Sequence, residues 1–138
     1  IVHGDYRLDN MILKNNKVIG ILDWELSTLG HPIADFSYHC LSWRTQEAFW
    51  DQAKLKELGI PSEREYMEMY CENSGKDLSK NWEFYMAFNM FKIAGILQGI
   101  LGRVRDGTAA SKHAEERGKL VYPLSAAAWS TIEENFLK

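Results

Sequence analysis

The stretch "HGDYRLDNMIL", residues 3–13, together with "VIGILDWELSTLG", residues 18–30, decides how this chain is read. His3, Asp5, Asp9 and Asn10 crowd together at its start. An Asp and an Asn in a polar turn usually mean turn chemistry and nothing more. The residues after them change the weight. Two short apolar runs, Met11–Leu13 and Val18–Leu22, flank "KNNK" at residues 14–17. Asparagine tolerates positive φ, so the pattern predicts a β-hairpin with a buried second strand. Such a hairpin sets Asn10 just before its first strand and Asp23 just after its second. Polar residues distant in sequence then meet at one end of one small structure.

That juxtaposition suits phosphoryl transfer from a nucleotide, where positioning and charge neutralisation do most of the catalysis. The reaction needs a carboxylate beside the acceptor hydroxyl, to orient it and take its proton. It also needs oxygen ligands that hold Mg²⁺ against the phosphates, because Mg²⁺ favours hard oxygens. Asp5 has the chemistry for the first task, Asn10 and Asp23 for the second. Arg7 offers a guanidinium to the transferring phosphate or to an anionic part of an acceptor. The alternative for Arg7 is an ion pair with Asp9 or Glu25 that shapes the loop. Asp9 itself is expected to face solvent or the acceptor side.

The 138 residues suffice for one domain with a hydrophobic core, and 46% apolar with 25% charged residues is ordinary for a globular chain. A formal net charge of −3 provides no basic field, which argues against nucleic-acid binding. Cys40 and Cys71 match no zinc or redox spacing and are expected reduced, as in an intracellular protein. His31, His39, Cys40 and Cys71 lack the close paired spacing of a metal site, so packed or surface roles are expected for them. No signal or transit peptide is visible, and a start at Ile1 without Met reads as part of something longer.

From Ile33 onward the chain reads as helical. Ile33, Phe36, His39, Cys40 and Trp43 follow a three-four spacing. "FWDQAKLKELGI" (residues 49–60) is an amphipathic piece stopped by Gly59. Ser62 and Glu65 form a capping-box pattern before a helix that Gly75 closes. "NWEFYMAFNMFKIAGILQGILGRV" (residues 81–104) is apolar enough to suggest a membrane span. Glu83, Asn89, Lys92 and Gln98 spread through it favour a buried helix without membrane insertion. Its aromatics, Trp82, Phe84, Tyr85, Phe88 and Phe91, are then expected in the core, and Gly95 with Gly99 at a close helix crossing. After the polar loop "RDGTAASKHAEE", a last helix is expected over about 116–136, kinked at Pro123. The organisation is one small hairpin resting on four or five helices.

"HGDYRLDN" plus "ILDWE" resembles the catalytic and metal-binding loops of the aminoglycoside phosphotransferase (APH) family, relatives of the protein kinases. The kinase order of His, any residue, Asp, four residues, Asn, then a metal-binding Asp is matched position by position. The resemblance implies a protein-kinase-like α+β fold, of which this chain is the mostly α-helical C-terminal (large) lobe with a small β-hairpin. It further implies Asp5 as catalytic base, Asn10 and Asp23 as ligands of Mg²⁺ on ATP, and His3 as a structural brace. "GHPIADFSY" is similar to that family's continuation, in which Asp35 supports the catalytic loop. Residues 1–25 would hold the catalytic loop, hairpin and metal-binding loop, and residues 33–138 the helical subdomain of one lobe.

Together with "NWEFYMAFNMFKIAGILQG" and "EYMEMYC", these motifs resemble the kinase-like domain of acyl-CoA dehydrogenase family members ten and eleven and their bacterial relatives. That group implies phosphorylation of the hydroxyl of a hydroxyacyl-CoA or similar small molecule, with an acyl-CoA dehydrogenase as a fused or separate partner. It places the protein in the cytoplasm if bacterial, in mitochondria or peroxisomes if eukaryotic. The acceptor would bind among helices, where Glu83, Asn89, Lys92 and Gln98 are polar candidates. "KHAEERGK" reads as a solvated helix start, the alternative being a contact of Lys112 or Arg117 with a CoA phosphate. The family's N-terminal lobe, with its strand lysine and phosphate loop, is absent from these residues, so the isolated chain is expected to be inactive without it. Two other readings are weighed: a pseudokinase lobe that docks a dehydrogenase, and a kinase for an aminoglycoside, choline or homoserine. Aminoglycosides are polycations that need an acidic cleft, which ranks them lower for so mildly acidic a chain.

Overall fold

The computed structural model describes residues 1–45, 52–78 and 80–138. They form two compact units, Ile1–Trp82 and Glu83–Lys138. The boundary falls at the start of a helix, where the sequence itself marks no change.

The first unit opens with a single-turn 3₁₀ segment, Leu8–Asn10, that leads into strand β1 (Met11–Lys14) and its antiparallel partner β2 (Lys17–Ile21). Asn15 and Asn16 take φ of 50° and 59°, the left-handed pair that a tight two-residue hairpin turn requires. Met11 pairs with Ile21 and Ile12 with Gly20, while Leu13 pairs with Val18. Ile19 is thereby the extra residue of a β-bulge, which increases the local twist. The hairpin is less buried than its composition predicts. Val18 and Ile19 remain 50% and 60% exposed, so β2 is an exposed strand rather than a buried one.

A 3₁₀ turn at Trp24–Leu26 and an isolated bridge between Val2 and Thr28 return the chain to its start. Helices α1 (Ile33–Thr45), α2 (Gln52–Glu57) and α3 (Glu63–Ser74) come next. Phe49, Trp50 and Asp51 of the predicted amphipathic piece lie outside the described residues. Helix α1 buries Ile33, Phe36 and Cys40 of the predicted stripe, while His39 and Trp43 are half-buried; Leu41 and Ser37 are buried beside them, the Ser37 hydroxyl donating to the Ile33 carbonyl at 2.6 Å. Phe36 stacks on Tyr70 of α3 with ring centroids 3.9 Å apart, and Trp43 stacks on Tyr66. Arg44 Nη2 meets Glu63 at 2.8 Å, and the same carboxylate accepts from the indole of Trp82. The capping box is complete: Ser62 Oγ accepts from Glu65 N, and Glu65 accepts from Ser62 N. Gly75 ends α3 at φ 66°.

Helix α4 (Trp82–Arg105) carries the chain into the second unit, with α5 (Ala114–Gly118) and α6 (Val121–Phe136) after it. By length and composition α4 could cross a membrane, with 33% of its most apolar window buried. Its aromatics divide where the sequence predicts a common core. Trp82 is buried, but Phe84, Phe88 and Phe91 are 49%, 48% and 71% exposed. The buried stripe is Met86, Ala87, Met90, Ala94 and Leu97, together with Asn89. Phe84, Phe88 and Phe91 instead line, with Ala87 at its base, an apolar trough of about 430 Å³ shared with Ser125, Ala128, Trp129 and Ile132 of α6.

Two further expectations are corrected in this unit. Among the described residues, added Cβ atoms at Gly95 and Gly99 would meet nothing within 4 Å, so no described segment crosses closely there. The close approach is at Gly118, where a Cβ would overlap the Leu101 side chain. Pro123 does not kink a long helix. The chain breaks earlier, at Lys119–Leu120, and Pro123 falls in the first turn of α6, where its missing N–H costs nothing.

Candidate active site

Backbone chemistry builds the loop before any side chain acts. Gly4 has φ +85°, and a Cβ there would come within 2.5 Å of the Leu26 carbonyl oxygen. Only glycine fits between His3 and Asp5. The loop is then held from α1: the Asp35 carboxylate accepts from His3 N at 2.5 Å and from Gly4 N at 2.8 Å. A carboxylate meeting successive backbone N–H groups makes charge-assisted bonds, which are stronger than neutral ones.

His3 is 2% exposed and works at both ring nitrogens. Its Nε2 donates to the Leu22 carbonyl at 2.7 Å, and its Nδ1 accepts from Asp5 N at 3.2 Å. The bonding pattern assigns the Nε2–H tautomer. His3 thus ties the loop to the end of the hairpin next to Asp23. Trp24 packs on the same ring, with centroids 4.7 Å apart.

Asp5 sits at the centre of these contacts, its side chain 17% exposed. Asn10 Nδ2 donates to the Asp5 carbonyl and to Asp5 Oδ2, both at 2.9 Å. By the geometry of an amide, this turns Asn10 Oδ1 away from Asp5. Arg7 Nε lies 3.3 Å from Asp5 Oδ2, and Arg7 Nη1 lies 3.9 Å from Asp9. The predicted partners of Arg7 were Asp9 or Glu25; its shorter ion pair is with Asp5 instead. Asp9 is exposed, as expected.

Asp23 is placed by the hairpin. Leu22 N donates to the Asn10 carbonyl at 2.8 Å, which fixes the two ends of the hairpin side by side. Asp23 is exposed and takes a left-handed backbone, φ 64° and ψ 56°. A non-glycine residue there is uncommon, and such strain gathers at functional sites. Among the described residues no cluster of three or more His, Cys, Asp and Glu side chains is set to hold a metal. Asn10 and Asp23 offer oxygen donors of the kind Mg²⁺ takes, an ion that keeps waters and phosphate oxygens as its other ligands. Neither His39 nor Cys40 belongs to such a set. Burial pushes the Cys40 thiol far up and His39 down.

The sequence reading missed Tyr38. Its hydroxyl donates to Asp5 Oδ1 at 2.8 Å from α1, across 33 residues of sequence. Burial, then the bond to Asp5 and that residue's charge, push its phenol up to about 12, so it stays a donor near neutral pH. The available signal was helical spacing: Tyr38 lies three residues after Asp35 and so on the same face of α1. Beside the loop, Tyr6, Pro32, Asp35, Phe36, Tyr66 and Tyr70 line a cavity of about 270 Å³. Burial raises the Tyr66 and Tyr70 phenols, which keeps both protonated there.

The family model of the phosphotransferase enzyme family matches residues 1–70, the segment that carries all of these groups. The chain belongs to the phosphotransferase enzyme family. A Ralstonia eutropha protein described as an aminoglycoside phosphotransferase has a crystal structure that superposes with a TM-score of 0.84 at 46% identity, over 96% of this chain. The chain therefore has the kinase-like fold. Mouse acyl-CoA dehydrogenase family member 10 is 45% identical over 136 residues, or 94% of the chain. Human acyl-CoA dehydrogenase family member 11 is 36% identical over 142 residues, or 99% of it. A probable acyl-CoA dehydrogenase of Arabidopsis thaliana, IBR3, is 37% identical over 151 residues. The chain spans 13% to 18% of the length of these three relatives and 42% of the Ralstonia chain.

Proposed function

We propose that these residues form the acceptor-side half of a small-molecule kinase, which transfers the γ-phosphoryl group of ATP to a hydroxyl. The observation that carries this reading is the Asp5 carboxylate, fixed by Tyr38 on one oxygen and by Asn10 on the other. In this reading Asp5 orients the acceptor hydroxyl and takes its proton as the oxygen attacks phosphorus. Asn10 Oδ1 and the Asp23 carboxylate are the groups that would hold Mg²⁺. That ion would supply neutralisation of phosphate charge. Arg7, half exposed, is free to exchange its ion pair with Asp5 for one with the transferring phosphate, since exposed pairs are weak. His3 and Asp35 act through backbone, holding the loop that carries Asp5.

The acceptor class proposed is a hydroxyacyl-CoA or a similar hydroxylated metabolite. Support comes from the relatives named as acyl-CoA dehydrogenases, which match 94% and 99% of the chain. The nucleotide's remaining contacts are proposed to come from a small N-terminal lobe, and the product to pass to an acyl-CoA dehydrogenase inside the cell.

The test is an assay with γ-labelled ATP and Mg²⁺ on the parent protein in which a small lobe precedes these residues. Acceptors are hydroxyacyl-CoA thioesters, the corresponding free hydroxy acids, choline, homoserine and an aminoglycoside. Labelled hydroxyacyl-CoA is expected. Label on choline or an aminoglycoside alone would replace the acceptor class. No labelled product at all, with dehydrogenase binding intact in Asp5→Asn and Asp23→Asn, would leave a docking lobe in place of a kinase.

A further inference from the structure

One face of α1 acts as a template for the loop. Asp35 holds His3 N and Gly4 N, and one turn later Tyr38 reaches the Asp5 side chain itself. The two oxygens of Asp5 therefore sit in different surroundings. Oδ1 takes a 2.8 Å bond from a half-buried phenol anchored in the helix. Oδ2 faces the Asn10 amide and the guanidinium of Arg7, whose side chain is 53% exposed. The Arg7 contact, at 3.3 Å, is long for a charge-assisted bond and yields at little cost.

We propose that Tyr38 is a positioning residue for phosphoryl transfer, anchoring Asp5 Oδ1 so that Oδ2 is the oxygen that takes the acceptor's proton. This inference rests on the kinase reading given above. In the step, the acceptor O–H bond breaks and its proton goes to Oδ2. The acceptor oxygen forms a bond to the γ-phosphorus of ATP, and the bond from that phosphorus to the β–γ bridging oxygen breaks, releasing ADP. Without Tyr38 the carboxylate keeps its Oδ2 contacts with Asn10 and Arg7 but loses the anchor on Oδ1, which loosens χ2, a broad and soft torsion. Misplacement of a reacting group by even about 1 Å can cost roughly 100-fold in rate.

The test is a double-mutant cycle on kcat in the two-lobed parent protein, using Tyr38→Phe, Asp5→Asn and the pair. Tyr38→Phe is expected to lower kcat about 10- to 100-fold with the KM for ATP unchanged. In the Asp5→Asn background the same substitution is expected to change the residual rate less than about twofold, because the proposed effect of Tyr38 on transfer passes through Asp5. Equal losses in both backgrounds would make Tyr38 a packing residue and overturn the proposal, as would an unchanged kcat. If Tyr38→Phe does not fold, Tyr38→His, which keeps a ring N–H donor, carries the same cycle. Its loss must also vanish with Asp5→Asn. A wild-type protein with no Asp5-dependent transfer would sink the kinase reading and this inference with it. Active wild type with an indifferent Tyr38 would sink this inference alone.

Discussion

Replacing Asp35 by alanine removes the support of the loop without touching a reacting group. The carboxylate accepts from His3 N at 2.5 Å and Gly4 N at 2.8 Å. Hydrogen bonds to a charged group contribute about 1.5–3 kcal/mol each, which sets an upper bound of roughly 3–6 kcal/mol. Both bonds are only part-buried, so water partly replaces them, and the expected loss is about 2–4 kcal/mol. At this chain length that lowers Tm by roughly 6–15 °C. Asp35→Asn keeps one oxygen acceptor but turns an NH₂ toward the second backbone donor, so its loss should be comparable. Urea denaturation followed by circular dichroism at pH 7 measures both variants. A loss under about 0.5 kcal/mol for Asp35→Ala would refute the idea that α1 holds the loop through this side chain.

Gly99→Ala should stabilise α4 by about 0.5–1 kcal/mol, since helical glycine is entropically costly and no described residue crowds the added methyl; a loss in thermal melts would restore a close crossing at that glycine. Native protein at pH 8 should react with thiol reagents at Cys71 and not at Cys40, whose buried thiol is held protonated, with both reacting after denaturation. Rapid native labelling of Cys40 would contradict that packing. The Glu65 carboxyl, lowered by its bonds to Ser62 N and Oγ, should titrate below an ordinary glutamate by NMR. Because its folded pKa is depressed, the capping box contributes above the unfolded value and is lost as pH falls through the folded one. Ser62→Ala should bring Glu65 toward its ordinary value, and an unmoved titration would count against the box.

What the sequence made legible was mostly local. The hairpin turn rests on Asn15 and Asn16, and the box on Ser62 and Glu65, residues whose own chemistry dictates the geometry. The grouping of Asn10 with Asp23 followed from the hairpin, and the place of Asp35 from a motif. Tyr38 was hidden because its bond to Asp5 spans 33 residues: its spacing from Asp35 puts it on the loop-holding face of α1 but does not name Asp5 as its partner. Exposure along α4 was hidden for another reason. Apolar residues surround that helix, so periodicity cannot separate the buried stripe of Met86, Met90 and Leu97 from the exposed Phe84, Phe88 and Phe91. Pro123 kinks a helix that begins before it and fits the first turn of one that begins beside it. Which applies depends on the break at Lys119–Leu120.

The most direct test of the account is single-turnover transfer from Mg²⁺–ATP to a hydroxyacyl-CoA by the two-lobed parent protein, comparing wild type with Asp5→Asn. Loss of the general base should slow the chemical step about 100- to 10,000-fold while nucleotide binding is retained. Transfer by Asp5→Asn at the wild-type rate would show that the carboxylate held by Tyr38 and Asn10 takes no proton from the acceptor, and the assignment of this loop as the catalytic centre would fall.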